Sequence, residues 1–231
     1  MVTNMAGLYA SQRAEHAWAL LLSLTRGVPS TTDDNGRKVW PMPALELTGG
    51  TLGIIGLGGF GLEIVKRAVG YDMTILAIDP VRQDKPLEVT ELNRPSRQNL
   101  HSLLKQSDAV MIACPKVPET YHLIGGKELA VMKNTAYLVN VTRGGIVDEQ
   151  ALIVALKSGQ IAGAGLDVAE VEPVPPNSPV WWEAPNLIIT PHRAGSSQHR
   201  PQKTFEFFCD NLRRYLKGEK LENVVNKNLG F

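Results

Sequence analysis

The sequence predicts an α/β fold, a doubly wound parallel sheet followed by a C-terminal helix. Six short apolar runs are rich in β-branched residues and continuous rather than alternating, which indicates strands buried on both faces of a sheet. Helical patterns separate most of the runs, and strands that alternate with helices form βαβ units with right-handed crossovers. The predicted strands cover residues 51–55, 73–78, 109–113, 136–141, 161–168 and 186–190.

Composition narrows the class of protein. Of the 231 residues, 43% are hydrophobic and 20% charged, as in an ordered globular protein. A net charge of +1 provides no overall field for nucleic acid or an anionic membrane, so neither is expected as a partner. The two cysteines, Cys114 and Cys209, are too few for a disulfide scaffold or a multi-thiolate zinc site. We therefore expect a cytoplasmic protein that binds no metal.

The first predicted element is a helix at residues 11–26. It is apolar on nearly every side, including Trp18 and Leu21, which is typical of a helix that other protein covers. One sheet face is not expected to cover it fully, and this predicts a homodimer. A polar connector broken by prolines follows at residues 29–43. The chain is thereby divided into a helix and connector (1–45), a nucleotide-binding domain (46–196) and a C-terminal helix and tail (197–231).

The first predicted strand runs into a glycine-rich turn, GLGGFG, at residues 56–61. A G-x-G-x-x-G between a strand and a helix is the dinucleotide-binding fingerprint. Gly56 permits the tight turn, Gly58 lets a pyrophosphate approach the backbone, and Gly61 lets the helix pack close to the strand. The helix N-terminus then offers free N–H groups and a partial positive charge to the phosphates. The sequence therefore predicts a Rossmann domain that binds a dinucleotide.

An acidic residue, Asp79, ends the second predicted strand. A carboxylate at this position accepts hydrogen bonds from the ribose hydroxyls of the adenosine. It would also repel a 2′-phosphate, which favours NAD over NADP. Two alternatives remain open at this point. Asp79 is otherwise a surface turn residue before Pro80, and Arg82 is either a phosphate ligand or, as we expect, a solvated turn residue.

Four more helices are predicted between the strands, and another ends the chain. The helix at residues 149–157 has clear boundaries, because Asp148 precedes it as N-cap and Gly159 lies just past its end. The last helix, at residues 198–216, is amphipathic. Its apolar side carries Phe205, Phe208, Leu212 and Leu216. The remaining helices are predicted at residues 61–69, 99–106 and 127–132.

Three charged residues, Arg143, Glu172 and His192, follow later strands of the predicted sheet. Ligands of open parallel sheets lie outside the carboxyl ends of the strands. Reduction of a ketone by hydride needs a proton donor and a group that holds and polarises the carbonyl. His192 suits proton donation, Glu172 would orient the imidazole, and Arg143 would hold a carboxylate or carbonyl oxygen. On pattern alone, a structural or surface histidine is the alternative.

Four stretches of the chain together resemble one enzyme family. LGIIGLGGFG, NVTRGGIVDEQAL, GAGLDVAEVEP and NLIITPHRAG look like consecutive signatures of the D-isomer-specific 2-hydroxy acid dehydrogenases. The resemblance implies an NAD-dependent oxidoreductase that acts on a D-2-hydroxy acid or its 2-oxo acid, of the glyoxylate, hydroxypyruvate, glycerate or phosphoglycerate type. It also implies pairing of two copies through the cofactor domain.

The resemblance assigns roles residue by residue. It places the catalytic arginine, glutamate and histidine on Arg143, Glu172 and His192. Asp167 would bind the nicotinamide amide, and Cys114 would contact the cofactor through its backbone, its thiol being packed rather than reactive. Arg193, where the family often has a neutral residue, either extends carboxylate binding or faces solvent. The implied cofactor contacts are Gly56, Gly58, Gly59, Phe60, Gly61, Asp79, Cys114, Pro115, Val141, Thr142, Arg143, Asp167, His192 and Gly195.

Family members begin with a substrate domain, whereas this chain opens at what resembles the linker into the cofactor domain. We therefore expect the C-terminal helix to pack on a domain that this chain lacks. We also expect the chain to bind NAD but to reduce 2-oxo acids slowly, because half of the cleft wall is missing. Two alternatives remain: an NAD-responsive binding module like the corepressors that resemble this family, and a degenerate fragment that only dimerises.

Overall fold

The computed structural model of the chain describes residues 1–28, 44–178 and 184–227. Seven parallel strands form one sheet in the order β3-β2-β1-β4-β5-β6-β7, which confirms the predicted doubly wound α/β fold. The predicted connector at 29–43 lies outside the described residues. The strands are β1 (Thr51–Ile55), β2 (Thr74–Ile78), β3 (Glu91–Asn93), β4 (Ala109–Ile112), β5 (Tyr137–Asn140), β6 (Gly163–Leu166) and β7 (Leu187–Ile189).

Helices cover both faces of the sheet, as the strand–helix alternation predicts. Successive residues of each strand face opposite sides. Ile54 and Met111 therefore pack with the first two helices, whereas Ile55 and Ile112 pack with the next three. The helices are α1 (Ala10–Thr25), α2 (Gly59–Ala68), α3 (Arg97–Gln106), α4 (Gly126–Leu129), α5 (Glu149–Lys157) and α6 (Arg200–Leu216).

Strand β3 was not predicted. It has three residues, of which Glu91 and Asn93 are exposed, and it pairs only with β2 at the edge of the sheet. Short polar strands are common at sheet edges, because they discourage pairing with other chains. Such a strand has no continuous apolar run, so the pattern that identifies the buried strands does not find it.

Helix α1 is covered mostly by the chain itself, because α2 adds to the cover that the sheet face gives. It packs against α2, β5 and β6. Trp18 stacks on Tyr71 with ring centroids 5.0 Å apart, and Leu21 is completely buried. The small residues of β6, which reads GAGL, let Leu20 approach the sheet closely. The homodimer stays a prediction, but this helix no longer argues for it.

Helix α6 differs from the others because its apolar side faces solvent. Phe205, Phe208 and Leu216 are 68%, 60% and 75% exposed. The first turns of α6 are attached to α1 by a 2.5 Å hydrogen bond between the hydroxyls of Tyr9 and Thr204. Within the described part of the chain, no helix has the length and hydropathy to cross a membrane.

The close packing of α3 on β1 yields a stability prediction. A Cβ added at Gly53 would lie 2.5 Å from Leu103 Cδ2 and also clash with the Ser107 hydroxyl, both buried. Gly53→Ala should therefore lower the free energy of unfolding by about 1–3 kcal/mol in urea denaturation. The control is Gly70→Ala, which meets no atom within 4 Å and should change stability little or raise it slightly. Equal unfolding midpoints for the two variants would contradict this packing.

Candidate active site

The glycine turn after β1 is shaped to admit phosphate groups. Gly56 has a φ of 100°, and a Cβ there would lie 2.6 Å from the backbone nitrogen of Cys114. A Cβ at Gly61 would clash with the Gly56 carbonyl oxygen, whereas one at Gly58 would meet nothing within 4 Å. The Leu62 N–H bonds to the Gly58 carbonyl at 3.0 Å, and N–H groups before it have no partner within α2. Open space above free N–H groups fits a pyrophosphate.

Asp79 braces this glycine turn from the end of β2. Its buried carboxylate accepts the Leu57 N–H at 2.7 Å, and its other oxygen accepts the N–H groups of Val81 and Arg82 at 2.8 and 2.7 Å. It is therefore more than the surface turn residue considered as an alternative. Arg82 is not solvated as expected, because its Nε donates to the Leu57 carbonyl at 2.7 Å and its side chain pairs with Asp84.

The backbone beside the glycine turn comes from the loop after β4. Cys114 is buried there, next to Gly56. Burial raises the pKa of the Cys114 thiol to about 12, so the thiolate needed for nucleophilic chemistry is absent at neutral pH. This environment agrees with a packed thiol, as expected. Pro115 follows it and is exposed.

Arg143 lies in a tight loop after β5 that neighbouring residues hold in place. The buried Asn140 accepts the Thr142 N–H at 3.0 Å and donates to the Arg143 carbonyl at 2.9 Å. The Arg143 guanidinium donates to the Thr142 carbonyl at 2.7 Å. A Cβ at Gly144 would clash with the Ala169 carbonyl oxygen, so glycine is needed where this loop crosses the loop after β6.

His192 and Glu172 form a close pair at the carboxyl edge of the sheet. Nδ1 of His192 donates to Oε2 of Glu172 at 2.6 Å, and the two side chains are 44% and 35% exposed. His192 has a φ of 48°, a left-handed backbone that non-glycine residues adopt mainly where surrounding contacts impose it. With Nδ1 committed to the carboxylate, Nε2 is the ring nitrogen available to a ligand.

The loop that carries Glu172 is fixed at several points. Glu172 Oε1 accepts the Ala169 N–H at 2.9 Å, and the Glu170 N–H donates to Glu149 at 2.5 Å. The Glu170 carboxylate accepts the Tyr121 hydroxyl at 2.7 Å. Burial, together with the charges of Glu170 and Glu172, raises the pKa of Glu149. These contacts leave the Glu172 carboxylate little freedom to move away from His192.

Asp167, at the end of β6, joins three parts of the site. Its carboxylate is fully buried and accepts the Thr190 hydroxyl at 2.6 Å and the N–H groups of Arg193 and Ala194 at 2.9 and 2.6 Å. Nε2 of His16 lies 3.4 Å away. Burial opposes ionisation, but the bonds from His16, Thr190 and the two N–H groups outweigh it and lower the pKa of Asp167. A nicotinamide amide would have to compete with these donors.

The structure brings the predicted residues to one edge of the sheet and adds residues that the sequence did not single out. Val141 and Thr142 are buried beside Arg143, and Phe60 is buried in the first turn of α2. The Arg193 side chain is exposed. No group of three or more metal-ligating side chains occurs in residues 1–28, 44–178 and 184–227. The additional residues are Asn140, Gly144, His16 and Thr190.

Only some of these residues leave a trace in the sequence. Asn140 is a polar residue at the end of an apolar run, and the two glycines after Arg143 mark a tight loop. His16 and Thr190 carry no such signal, because their 2.8 Å contact joins positions 174 residues apart.

Comparison with known proteins identifies the family. A family model for the NAD-binding domain of D-isomer-specific 2-hydroxyacid dehydrogenases matches residues 18–194. The chain is 39% identical over 238 residues to a glyoxylate reductase of Korarchaeum cryptofilum, covering 99% of this chain and 70% of that protein.

Two solved structures have the same fold. A D-isomer-specific 2-hydroxyacid dehydrogenase of Xanthobacter autotrophicus, in complex with NADPH and MES, superposes with a TM-score of 0.86 at 30% identity, over 100% of this chain and 93% of that one. The NAD-complexed D-isomer-specific 2-hydroxyacid dehydrogenase of Lactobacillus delbrueckii ssp. bulgaricus superposes with a TM-score of 0.84 at 28% identity. The match covers 97% of this chain and 72% of that one. Since the family model spans most of the chain, the chain belongs to the D-isomer-specific 2-hydroxyacid dehydrogenases, oxidoreductases that use a nicotinamide cofactor.

Proposed function

We propose that the chain catalyses the NAD-dependent interconversion of a 2-oxo acid and its D-2-hydroxy acid, with Arg143, Glu172 and His192 as the catalytic residues. The observation that carries this proposal is the 2.6 Å contact between His192 and Glu172 at the edge of the sheet where Arg143 also lies. The phosphate-accepting turn at Gly58 opens at the same edge.

The proposed chemistry divides between three side chains. The bound cofactor supplies the hydride that reduces the carbonyl. His192 donates a proton from Nε2 to the carbonyl oxygen as negative charge develops there. Glu172 stabilises the protonated imidazole and fixes its orientation through Nδ1. Arg143 holds the substrate carboxylate, for which a planar guanidinium fork is well suited.

Glyoxylate is the first substrate to test, because the relative from Korarchaeum cryptofilum is named for it. We propose NAD rather than NADP as the preferred cofactor. Asp79 supports this preference, since its carboxylate would repel a 2′-phosphate. The two nearby cations are also engaged, because Arg82 donates to Leu57 and Lys85 donates to the Val89 carbonyl at 2.7 Å.

We further propose that the protein is a cytoplasmic homodimer. The low cysteine content supports the compartment, and the family resemblance supports the pairing. Light scattering at micromolar concentration checks the dimer, and a monomer mass there would contradict it.

Substitution of the catalytic residues tests the proposal. His192→Asn and Arg143→Gln should each lower kcat/KM for glyoxylate reduction at least ~100-fold, because both residues act mainly in the transition state. Binding of NADH, followed by fluorescence, should change little. Glu172→Gln should have a smaller effect and move the alkaline limb of the pH–rate profile to lower pH, because the imidazolium loses its anionic partner.

A matched control exists elsewhere in the fold. His101 and Glu128 form a similar pair at 3.0 Å between α3 and α4, so His101→Asn should leave kcat/KM unchanged. An equal loss of activity in His101→Asn and His192→Asn would contradict the assignment. NADH binding without reduction of any 2-oxo acid by the unaltered chain would favour a binding module.

Cofactor preference provides a separate test. Calorimetric titration should show NADH binding at least about tenfold more tightly than NADPH, because like charges placed together are strongly unfavourable. Asp79→Ala should reduce the difference in affinity between NADH and NADPH. It should also weaken the binding of both cofactors, since the Leu57 N–H loses its acceptor. Glu88→Gln, which removes an exposed charge from the same loop, should change neither affinity. Equal or tighter NADPH binding by the unaltered chain would contradict the preference.

A further inference from the structure

Three arginines from different parts of the chain interact through their charges beside the predicted active site. Arg143 follows β5, Arg13 lies on α1, and Arg200 begins α6. Burial lowers the pKa of Arg13, and the charges of Arg143 and Arg200 lower it further. Its Nε lies 3.7 Å from where a Cβ on Gly195 would be, beside the loop that carries His192.

Arg13 and Arg200 are held on one face of α1. Arg200 stacks over the ring of Tyr9, with its guanidinium carbon 4.9 Å from the ring centroid. Tyr9 is buried and bonded to Thr204, and it precedes Arg13 by one helical turn, since the Arg13 N–H donates to its carbonyl at 3.3 Å. Residues one turn apart lie on the same helix face. Arg13 therefore lies on the same face of α1 as the ring on which the Arg200 guanidinium stacks.

Within residues 1–28, 44–178 and 184–227, these arginines have no anionic partner of their own. Among the described residues, Arg13 and Arg200 form no ion pair and donate no side-chain hydrogen bond, and Arg143 donates only to the Thr142 carbonyl. The Asp167 carboxylate is the one whose negative charge acts on Arg13. Its oxygens already accept hydrogen bonds from Thr190 and from two backbone N–H groups. A partly buried arginine with like charges beside it is costly, and a bound anion removes that cost.

We propose that Arg13 and Arg200 form an anion subsite, so that the preferred substrates are 2-oxo acids with a second anionic group, a carboxylate or a phosphate. This inference rests on the proposed function, because Arg143 and His192 define where the first carboxylate and the carbonyl lie. Arg143 accounts for one carboxylate, and two guanidinium forks remain for the second anion. Carboxylates and phosphates share the paired oxygens that such forks bind, so substrates of each kind are compared.

The test measures kcat/KM with NADH for two monoanions, glyoxylate and pyruvate, and two substrates with a second anion, oxaloacetate and 3-phosphohydroxypyruvate. The unaltered chain should have a higher kcat/KM for oxaloacetate or 3-phosphohydroxypyruvate than for the monoanions. The better of these two substrates shows whether the subsite binds a carboxylate or a phosphate. Arg13→Gln should lower kcat/KM for that substrate about 10- to 100-fold and change pyruvate reduction less than about threefold. Arg200→Gln, at an exposed residue that should not disturb folding, should act in the same direction.

Arg97→Gln is the control, because Arg97 is an exposed arginine of α3 without a role in the site. This substitution should leave kcat/KM for all four substrates unchanged. Preference of the unaltered chain for the monoanions, or equal losses for all substrates in Arg13→Gln, would overturn the proposal. So would unchanged kinetics in both Arg13→Gln and Arg200→Gln.

Binding separates a failure of this inference from a failure of the proposed function. Malonate and acetate carry no reducible carbonyl, so calorimetry with the NADH-loaded chain reports binding alone. If no 2-oxo acid is reduced, the proposed function fails. The subsite then stands if malonate binds more tightly than acetate and Arg13→Gln or Arg200→Gln removes the difference, and it falls if the two bind equally.

Discussion

The buried carboxylate of Asp167 is the interaction on which the geometry of the site depends. It ends β6 and accepts bonds from Thr190 after β7 and from the N–H groups of Arg193 and Ala194. Because these bonds lower its pKa, the charged form stabilises the fold above the ordinary pKa of an aspartate, and this contribution disappears as the pH falls through the lowered value. The His192 loop is thus attached to the end of β6, the strand that pairs with the edge strand β7.

The rest of the site follows from close contacts between neighbouring loops. Gly144 lets the Arg143 loop cross the loop of Ala169, and the latter positions Glu172 against His192. The carboxyl ends of parallel strands meet at one edge, so residues distant in sequence converge there. On the other side, α1 brings His16 to Thr190 and Arg13 to Gly195. One helix thus contributes both to the support of the site and to its charge.

The sequence predicts the buried part of the fold well, because continuous apolar runs and the glycine fingerprint depend on local pattern. Strand β1 and helix α5 have the predicted bounds, and Asp148 caps α5 by accepting the Ala151 N–H at 3.1 Å. Contacts between residues that lie far apart in the sequence cannot be predicted from local pattern. The cover of α1 depends on how closely it approaches β6, and the partners of Asp167 belong to segments whose register only the folded sheet defines.

Hydrogen–deuterium exchange of an Asp167→Asn variant tests the central role of this carboxylate most directly. An amide at this position cannot accept from all the donors that the carboxylate holds. We expect at least about tenfold faster exchange at the N–H groups of Arg193 and Ala194, with β1 and β4 remaining protected. Unchanged protection of these two N–H groups in the variant, or a uniform loss of protection over the whole sheet, would contradict it.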